Sequence, residues 1–248
     1  MKVVFHEDFY KVYTADPAAA SGRMESIIET IEPHVELVQA EPALRQHIAA
    51  IHTEIHIQQV ENQGLYEIAA LAAGGAIRAA QIGLSEPCFG LIRPPGHHAS
   101  TASAWGFCYF NNMAVALEAL RRKSKIKSAC VLDIDLHFGD GTVNTLEKRN
   151  WVTVINIQGR NRSDYLKEVE DAMRNCQVDL IGISAGFDYH TDDWGGLLYT
   201  EDYEEIGYRV RSTADDMAGG CFAILEGGYN HEVLGQNVMA LIQGMSGV

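Results

Sequence analysis

The chain has 248 residues, 47% of them hydrophobic, enough to close one substantial core, so a single domain spanning 1–248 is expected. Its 33 acidic residues against 19 basic ones leave a formal net charge of −14, which weighs against an electrostatic grip on nucleic acid or on an anionic membrane and suits a cationic or neutral ligand. From five cysteines without a Cys-x-x-Cys pair, acids already at Glu7 and Asp8, and no apolar stretch of membrane-spanning length, a reduced, soluble, cytoplasmic chain without a signal peptide is expected.

In chain order, residues 3–5 read as a strand, 23–31 as a helix stopped before Pro33, and 35–38 as a short strand. A helix follows at 66–83, then a strand at 88–92, a helix at 111–122 and a strand at 129–132. The pattern continues with a strand at 152–157, a helix at 164–175, strands at 180–184 and 221–225 on either side of a helix at 200–217, and a last helix from 230 to about 245. Strands alternating with helices predict an α/β fold: a mostly parallel sheet covered on both faces, three layers αβα. No repeat, low-complexity tract or Gly/Ser/Pro-rich linker divides the chain.

In such a sheet ligands gather outside the carboxyl ends of the strands, where loops from several strands meet. Four of those exits carry reactive side chains. After 88–92 comes Arg93-Pro94-Pro95-Gly96-His97-His98, and after 129–132 comes Asp133-Ile134-Asp135-Leu136-His137-Phe138-Gly139-Asp140-Gly141. After 180–184 comes Ala185-Gly186-Phe187-Asp188, and after 221–225 comes Glu226-Gly227-Gly228-Tyr229. Each has an ordinary explanation alone: solvated strand-end acids, a capped Pro-Pro-Gly turn, a helix-capping aspartate, a packing tyrosine. Four accidents on one edge are less economical than one assembled site.

A divalent metal on Asp135, His137 and Asp188 would leave coordination positions open for water and substrate, as a catalytic centre does. The O, N, O donor set is oxygen-rich for zinc and leaves Fe(II) or another divalent ion open. His97 and His98 would supply the base and acid of amide hydrolysis, with Asp133 and Asp140 free to orient the imidazoles. Tyr229 would donate to a developing oxyanion, and Gly227-Gly228 would let its loop approach the metal.

These blocks, together with Gly106-Phe107-Cys108-Tyr109-Phe110-Asn111-Asn112, resemble the signatures of the histone deacetylase family, which includes acetylpolyamine amidohydrolases and acetoin-utilisation proteins. The five blocks occur in the family's order over most of the chain, and the stretch from Asp188 to Gly195-Gly196-Leu197 resembles the class II and amidohydrolase branch. The resemblance implies the arginase-deacetylase fold, one zinc on Asp135, His137 and Asp188, and hydrolysis of an acylated amine or acyl-lysine to a free amine and a carboxylate. It implies that His98 is the main general base and acid and His97 its electrostatic partner, with Asp133 supporting His97 and Asp140 supporting His98. It makes Tyr229 the carbonyl-polarising group, and Gly106, Phe107, Trp194 and Gly228 substrate-binding positions. A potassium ion on backbone carbonyls near 133–137 and a product-pocket role for Arg23 are further implications.

The departures are Phe138, where relatives carry a second histidine, and two shortened loops: between Val60 and Gly64, where a substrate-orienting aspartate is absent, and at 158–162. The chain also stops soon after its last predicted helix, without the C-terminal elements of larger relatives. A shallower mouth that tolerates varied amines is expected. A ureohydrolase would need a second metal's ligands, a phosphatase would need a hydroxyl residue where Leu136-His137 stands, and a non-catalytic relative would be expected to have lost a site residue. His52 and His56, four apart, lack an acid or cysteine partner and are expected to be exposed or packed; His190, close to Asp188, invites more attention. The oligomeric state is left open.

Overall fold

The computed structural model describes residues 1–247; Val248 lies outside them. Seven strands form one fully parallel sheet: β1 (Lys2–Phe5), β2 (Glu36–Gln39), β3 (Cys88–Gly90), β4 (Ala129–Asp133), β5 (Val152–Asn156), β6 (Leu180–Ala185) and β7 (Gly220–Leu225), in the order β2-β1-β3-β7-β6-β4-β5. Strands β3, β4, β6 and β7 are buried along their whole length, which explains why they read as continuous apolar runs rather than alternating ones. The edge strands β2 and β5 are partly exposed and carry polar residues such as Glu36, Gln39 and Thr153.

The long helices fall where the apolar periodicity places them: α1 (Arg23–Ile31), α4 (Tyr66–Gly83), α5 (Asn112–Arg122), α7 (Arg162–Arg174), α8 (Thr200–Asp216) and α9 (His231–Ser246). Helix α4 packs on α5 and on β1, β3 and β7, while α9 packs on α1 and α8, giving the αβα layering. Asn111 and Asn230 stand just outside their helices as caps, accepting from the Ala114 and Glu232 N–H groups, so those helices start one residue later than expected. Three further α-helices, α2 (Arg45–Ile48), α3 (Glu54–Asn62) and α6 (Asp140–Leu146), lie outside the segments expected from apolar periodicity. The expected strand at 88–92 ends at Gly90, because the chain leaves the sheet there.

Register explains why four loops converge. Gly90 pairs with Ile224, Ile224 with Ser184 and Ser184 with Asp133, so the carboxyl ends of β3, β7, β6 and β4 end level with one another in adjacent positions. Among the described residues no helix is long and apolar enough to cross a membrane.

Candidate active site

At that shared edge the donor atoms of Asp135, His137 and Asp188 lie within 4.8 Å of one another, with both carboxylates buried. His137 Nδ1 sits 3.2 Å from Asp135 Oδ1 and 3.0 Å from Asp188 Oδ2. Asp188 Oδ2 nevertheless has no aligned hydrogen-bond donor although it is fully buried, the kind of orphaned acceptor a cation would satisfy. The remaining oxygens are already held: Asp135 Oδ1 accepts the His137 N–H at 2.9 Å, Asp135 Oδ2 the Gly227 N–H at 2.8 Å, and Asp188 Oδ1 the Leu136 N–H at 3.1 Å. Gly227 crosses so closely that a Cβ there would stand 2.5 Å from Asp135 Oδ2 and 2.9 Å from Asp188 Oδ2. Only glycine lets this backbone lie on the triad.

The electrostatics fit a cation as well. The adjacent carboxylates of Asp135 and Asp188 push His137 up to about 10, and burial together with the neighbouring Asp135 pushes Asp188 up to about 6. Burial opposes ionisation of Asp135 too, but the charge of His97 and hydrogen bonds from His137 and Gly227 hold it well below the carboxylate range. Two carboxylates drawing a proton onto the imidazole between them is the response expected of a site that a divalent ion would otherwise neutralise.

The two histidines from the β3 loop lie beside the triad with ring centroids 4.0 Å apart. Each has Nδ1 tied to an aspartate: His97 to Asp133 at 3.1 Å and His98 to Asp140 at 2.7 Å. Their Nε2 atoms are left for chemistry, and that of His97 is 3.8 Å from Asp135 Oδ1. Burial disfavours charge on both. For His97 the charges of Asp135 and Asp133 overcome it and raise the pKa well above the ordinary value, while for His98 burial and the His97 charge lower it to about 4. The surrounding charges therefore favour the protonated form on His97 and the neutral form on His98.

Tyr229 is held by its neighbours. Its ring stacks on Trp194 at 4.1 Å and meets Phe107 edge-on at 6.0 Å, and the Arg23 guanidinium lies 5.5 Å from its centroid. Arg23 anchors the loop by donating to the Gly228 and Glu226 carbonyls at 2.8 and 2.7 Å, so Gly228 serves the loop's support with its carbonyl. Gly106 lies against His98, where an added Cβ would come within 2.4 Å of Cδ2, and both Gly106 and Phe107 adopt left-handed backbone, φ 56° and 66°. For Phe107 that conformation costs on the order of 1 kcal/mol, which the surrounding loop must hold in place.

Several further groups support the site, of which Trp105 and Asp193 carry no sequence signal and Glu226 carries none for a role of its own. Glu226 accepts the Gly96 and His97 N–H groups at 2.6 and 3.2 Å, with burial raising its pKa to about 7. Asp193 accepts the Tyr229 and Asn230 N–H groups at 2.7 and 2.8 Å. Trp105 stacks on His98 and donates to Asp140. His52 and His56 are both buried, which rules out the exposed alternative. His52 bridges the Ser100 carbonyl and the Asn111 N–H at 3.0 and 2.9 Å, and His56 donates to the Tyr109 carbonyl at 2.7 Å, so the two pin the loop that carries Gly106 and Phe107. His190 is outside the triad: Nδ1 accepts the Asp192 N–H, and Nε2 faces the Thr200 hydroxyl at 3.3 Å. A cavity of about 520 Å³ lined by Glu41, His47, Arg78 and Lys123 lies away from these groups.

A buried Asp-His-Asp group beside two His-Asp pairs on the carboxyl edge of a parallel sheet is the arrangement a metal-dependent amidohydrolase would need. The histone deacetylase domain model matches residues 18–165 and 158–245, and the chain belongs to that family. It is 27% identical to a probable deacetylase of Methanothermobacter thermautotrophicus, over 99% of this chain and 91% of that one. It is 26% identical to a histone deacetylase-like amidohydrolase of Pseudomonas aeruginosa, over 94% and 79%. The archaeal alignment runs to 304 positions for a chain of 248 residues, so that relative carries insertions this chain lacks. In structure the chain resembles the HD domain of HDA15, with a TM-score of 0.83 over 99% of this chain and 89% of that one at 22% identity, a likeness of fold.

Proposed function

We propose that the chain is a zinc-dependent deacylase, a cytoplasmic hydrolase whose residues 1–248 act as one catalytic domain on a small acylated amine or an acyl-lysine. The observation that carries this reading is the joint placement of the Asp135, His137 and Asp188 donors with the His97–Asp133 and His98–Asp140 pairs. Zinc on those donors would polarise the amide carbonyl and acidify the attacking water; Fe(II) would suit the same oxygen-rich set. His98, fixed by Asp140 through Nδ1, takes the proton of the attacking water on Nε2 and returns it to the amine nitrogen as the C–N bond breaks. His97 stays charged against Asp133 and steadies the oxygen that gains negative charge. Tyr229 donates its hydroxyl to that same oxygen, and Gly106, Phe107 and Trp194 wall the acyl-amine stem.

The mouth supports a permissive amine side. Helices α3 and α4 are joined by Gln63, Gly64 and Leu65 alone, and β5 is followed within a few residues by α7, so neither loop reaches over the site. Trp194 and Phe138, at 53% and 45% exposure, form an apolar rim in place of a gripping acid. Five buried free thiols suit a reducing compartment. A potassium ion near 133–137 would have to share the Ile134 carbonyl with the Tyr165 hydroxyl, which donates to it at 2.9 Å.

The test is a profile of the zinc-loaded protein against acetyl-lysine peptides, acetylated polyamines and longer acyl-lysines, measuring carboxylate and amine release. Equimolar products, absent in Asp188→Asn, are expected; no release from any class sinks the reading. Two bridged ions per chain would favour a ureohydrolase, and rates governed by peptide sequence around the lysine would refute the open mouth.

A further inference from the structure

The two His-Asp pairs are not built alike. Asp133 is sealed in the core at 1% side-chain exposure, whereas Asp140 opens to solvent at 37%. A carboxylate that open can rotate and exchange its partner for water, so something must fix it if it is to orient His98. Trp105 is placed to do so. Its indole N–H donates to both Asp140 oxygens, at 3.1 and 3.0 Å, and Oδ1 is also the atom that receives His98 Nδ1–H at 2.7 Å. Its ring lies over the His98 imidazole at 3.8 Å with the planes 28° apart. The next residue, Gly106, packs against the edge of the same imidazole.

Trp105 is 56% exposed, yet the His98 it covers is nearly inaccessible. One face of the tryptophan is thus spent on the imidazole while the other meets water. An exposed tryptophan with its N–H on a carboxylate and its face on an imidazole is hard to explain by core packing, since more than half of the residue is exposed. We propose that Trp105 is a positioning residue for the His98–Asp140 pair: its N–H locks the carboxylate in the orientation that receives His98 Nδ1–H, and its ring stops the imidazole from swinging toward solvent. The catalytic consequence rests on the deacylase reading; the clamp itself does not.

The experiment separates these. Trp105→Phe keeps a ring over His98 and removes the N–H, while Trp105→Leu removes both. With zinc-loaded protein and a fluorogenic acetyl-lysine amide, kcat is expected to fall about tenfold in Trp105→Phe and further in Trp105→Leu, with KM within about twofold. Independently of turnover, proton–nitrogen NMR of the parent protein should show a protected Trp105 indole N–H that shifts upfield in Asp140→Asn. The His98 Nδ1–H signal should broaden by faster exchange in Trp105→Phe. A kcat within twofold of the parent in both variants, with the His98 signal unchanged, overturns the proposal. If the parent hydrolyses no acyl amide, the deacylase reading falls while the NMR arm still decides the clamp.

Discussion

His52 offers a quantitative test of how the channel loop is held. The imidazole is buried, donating from Nδ1 to the Ser100 carbonyl and accepting the Asn111 N–H on Nε2, an arrangement only the neutral ring can make. Burial, reinforced by the His56 ring 5.1 Å away, lowers its pKa from 6.5 to about 3. In the unfolded chain the same group takes a proton near 6.5, so below that pH the unfolded state binds more protons and acid favours it. The stability tied to the neutral ring is complete above pH 6.5 and is lost as pH falls from there toward 3. One pH unit below 6.5 the loss is about 1.4 kcal/mol, a figure that does not depend on how far below 5 the folded pKa lies.

The assay is thermal unfolding at pH 7.5 and 5.5 for the parent and for His52→Gln, whose amide can donate to Ser100 and accept from Asn111 without titrating. For a domain of this size the parent should lose about 3–6 °C more than the variant between the two pH values. Any cost of the glutamine's different reach enters at both pH values and cancels. Equal acid sensitivity in the two proteins would refute the buried neutral His52 and the pinning of the loop that depends on it.

The remaining predictions concern the site. Tyr229→Phe should lower kcat by about 10²–10³ with little change in KM, read in steady-state kinetics, because it removes one donor to the developing oxyanion. Removing metal with a chelator should lower the melting temperature, and adding back one equivalent of zinc per chain should restore it, measured by calorimetry with a metal titration. Gly227→Ala should weaken metal affinity strongly, since its Cβ would meet both ligand carboxylates at under 3 Å; a variant that binds zinc like the parent would contradict the crossing described above. Asp133→Asn should cost more stability than Asp140→Asn, because it leaves His97 without its buried partner whereas Asp140 faces water, which denaturant titration can compare.

What could be read from the chain follows from how local each signal is. The central strands announced themselves because a strand buried on both faces must be apolar throughout, and their exits carried the site because parallel strands all deliver their loops to one edge. Helix α3 escaped because only His56, Ile57 and Val60 turn inward, two of its three buried positions being easily read as ordinary apolar residues and the third being a histidine. Helix α6 was hidden because Asp140 reads as part of a loop of acids while also opening a helix. Trp105, Asp193 and Glu226 act on partners 35, 36 and 130 residues away, through backbone groups or a single carboxylate, and no spacing rule connects such distances.

The charges around the site bear on why a cation belongs there. Asp133, Asp135, Asp188 and Glu226 are all buried at the head of the sheet, and Asp140 stands at its margin. The nearby buried guanidiniums give no compensation in ion pairs: Arg23 donates to the carbonyls of Gly228, Glu226 and Ala18, and Arg93 to those of Ala18, Ala20 and Lys11. Backbone amides take up one oxygen of Glu226 and hold several of the others, yet Asp188 Oδ2 and Glu226 Oε1 are left without a donor. Burying that much carboxylate against protons on His97 and His137 alone is costly, so the arrangement makes physical sense when a divalent ion shares the load. The carboxylates beside His97 favour its charged form, while burial and the charge of His97 favour the neutral form of His98, which divides one pair of histidines into a fixed charge and a working base.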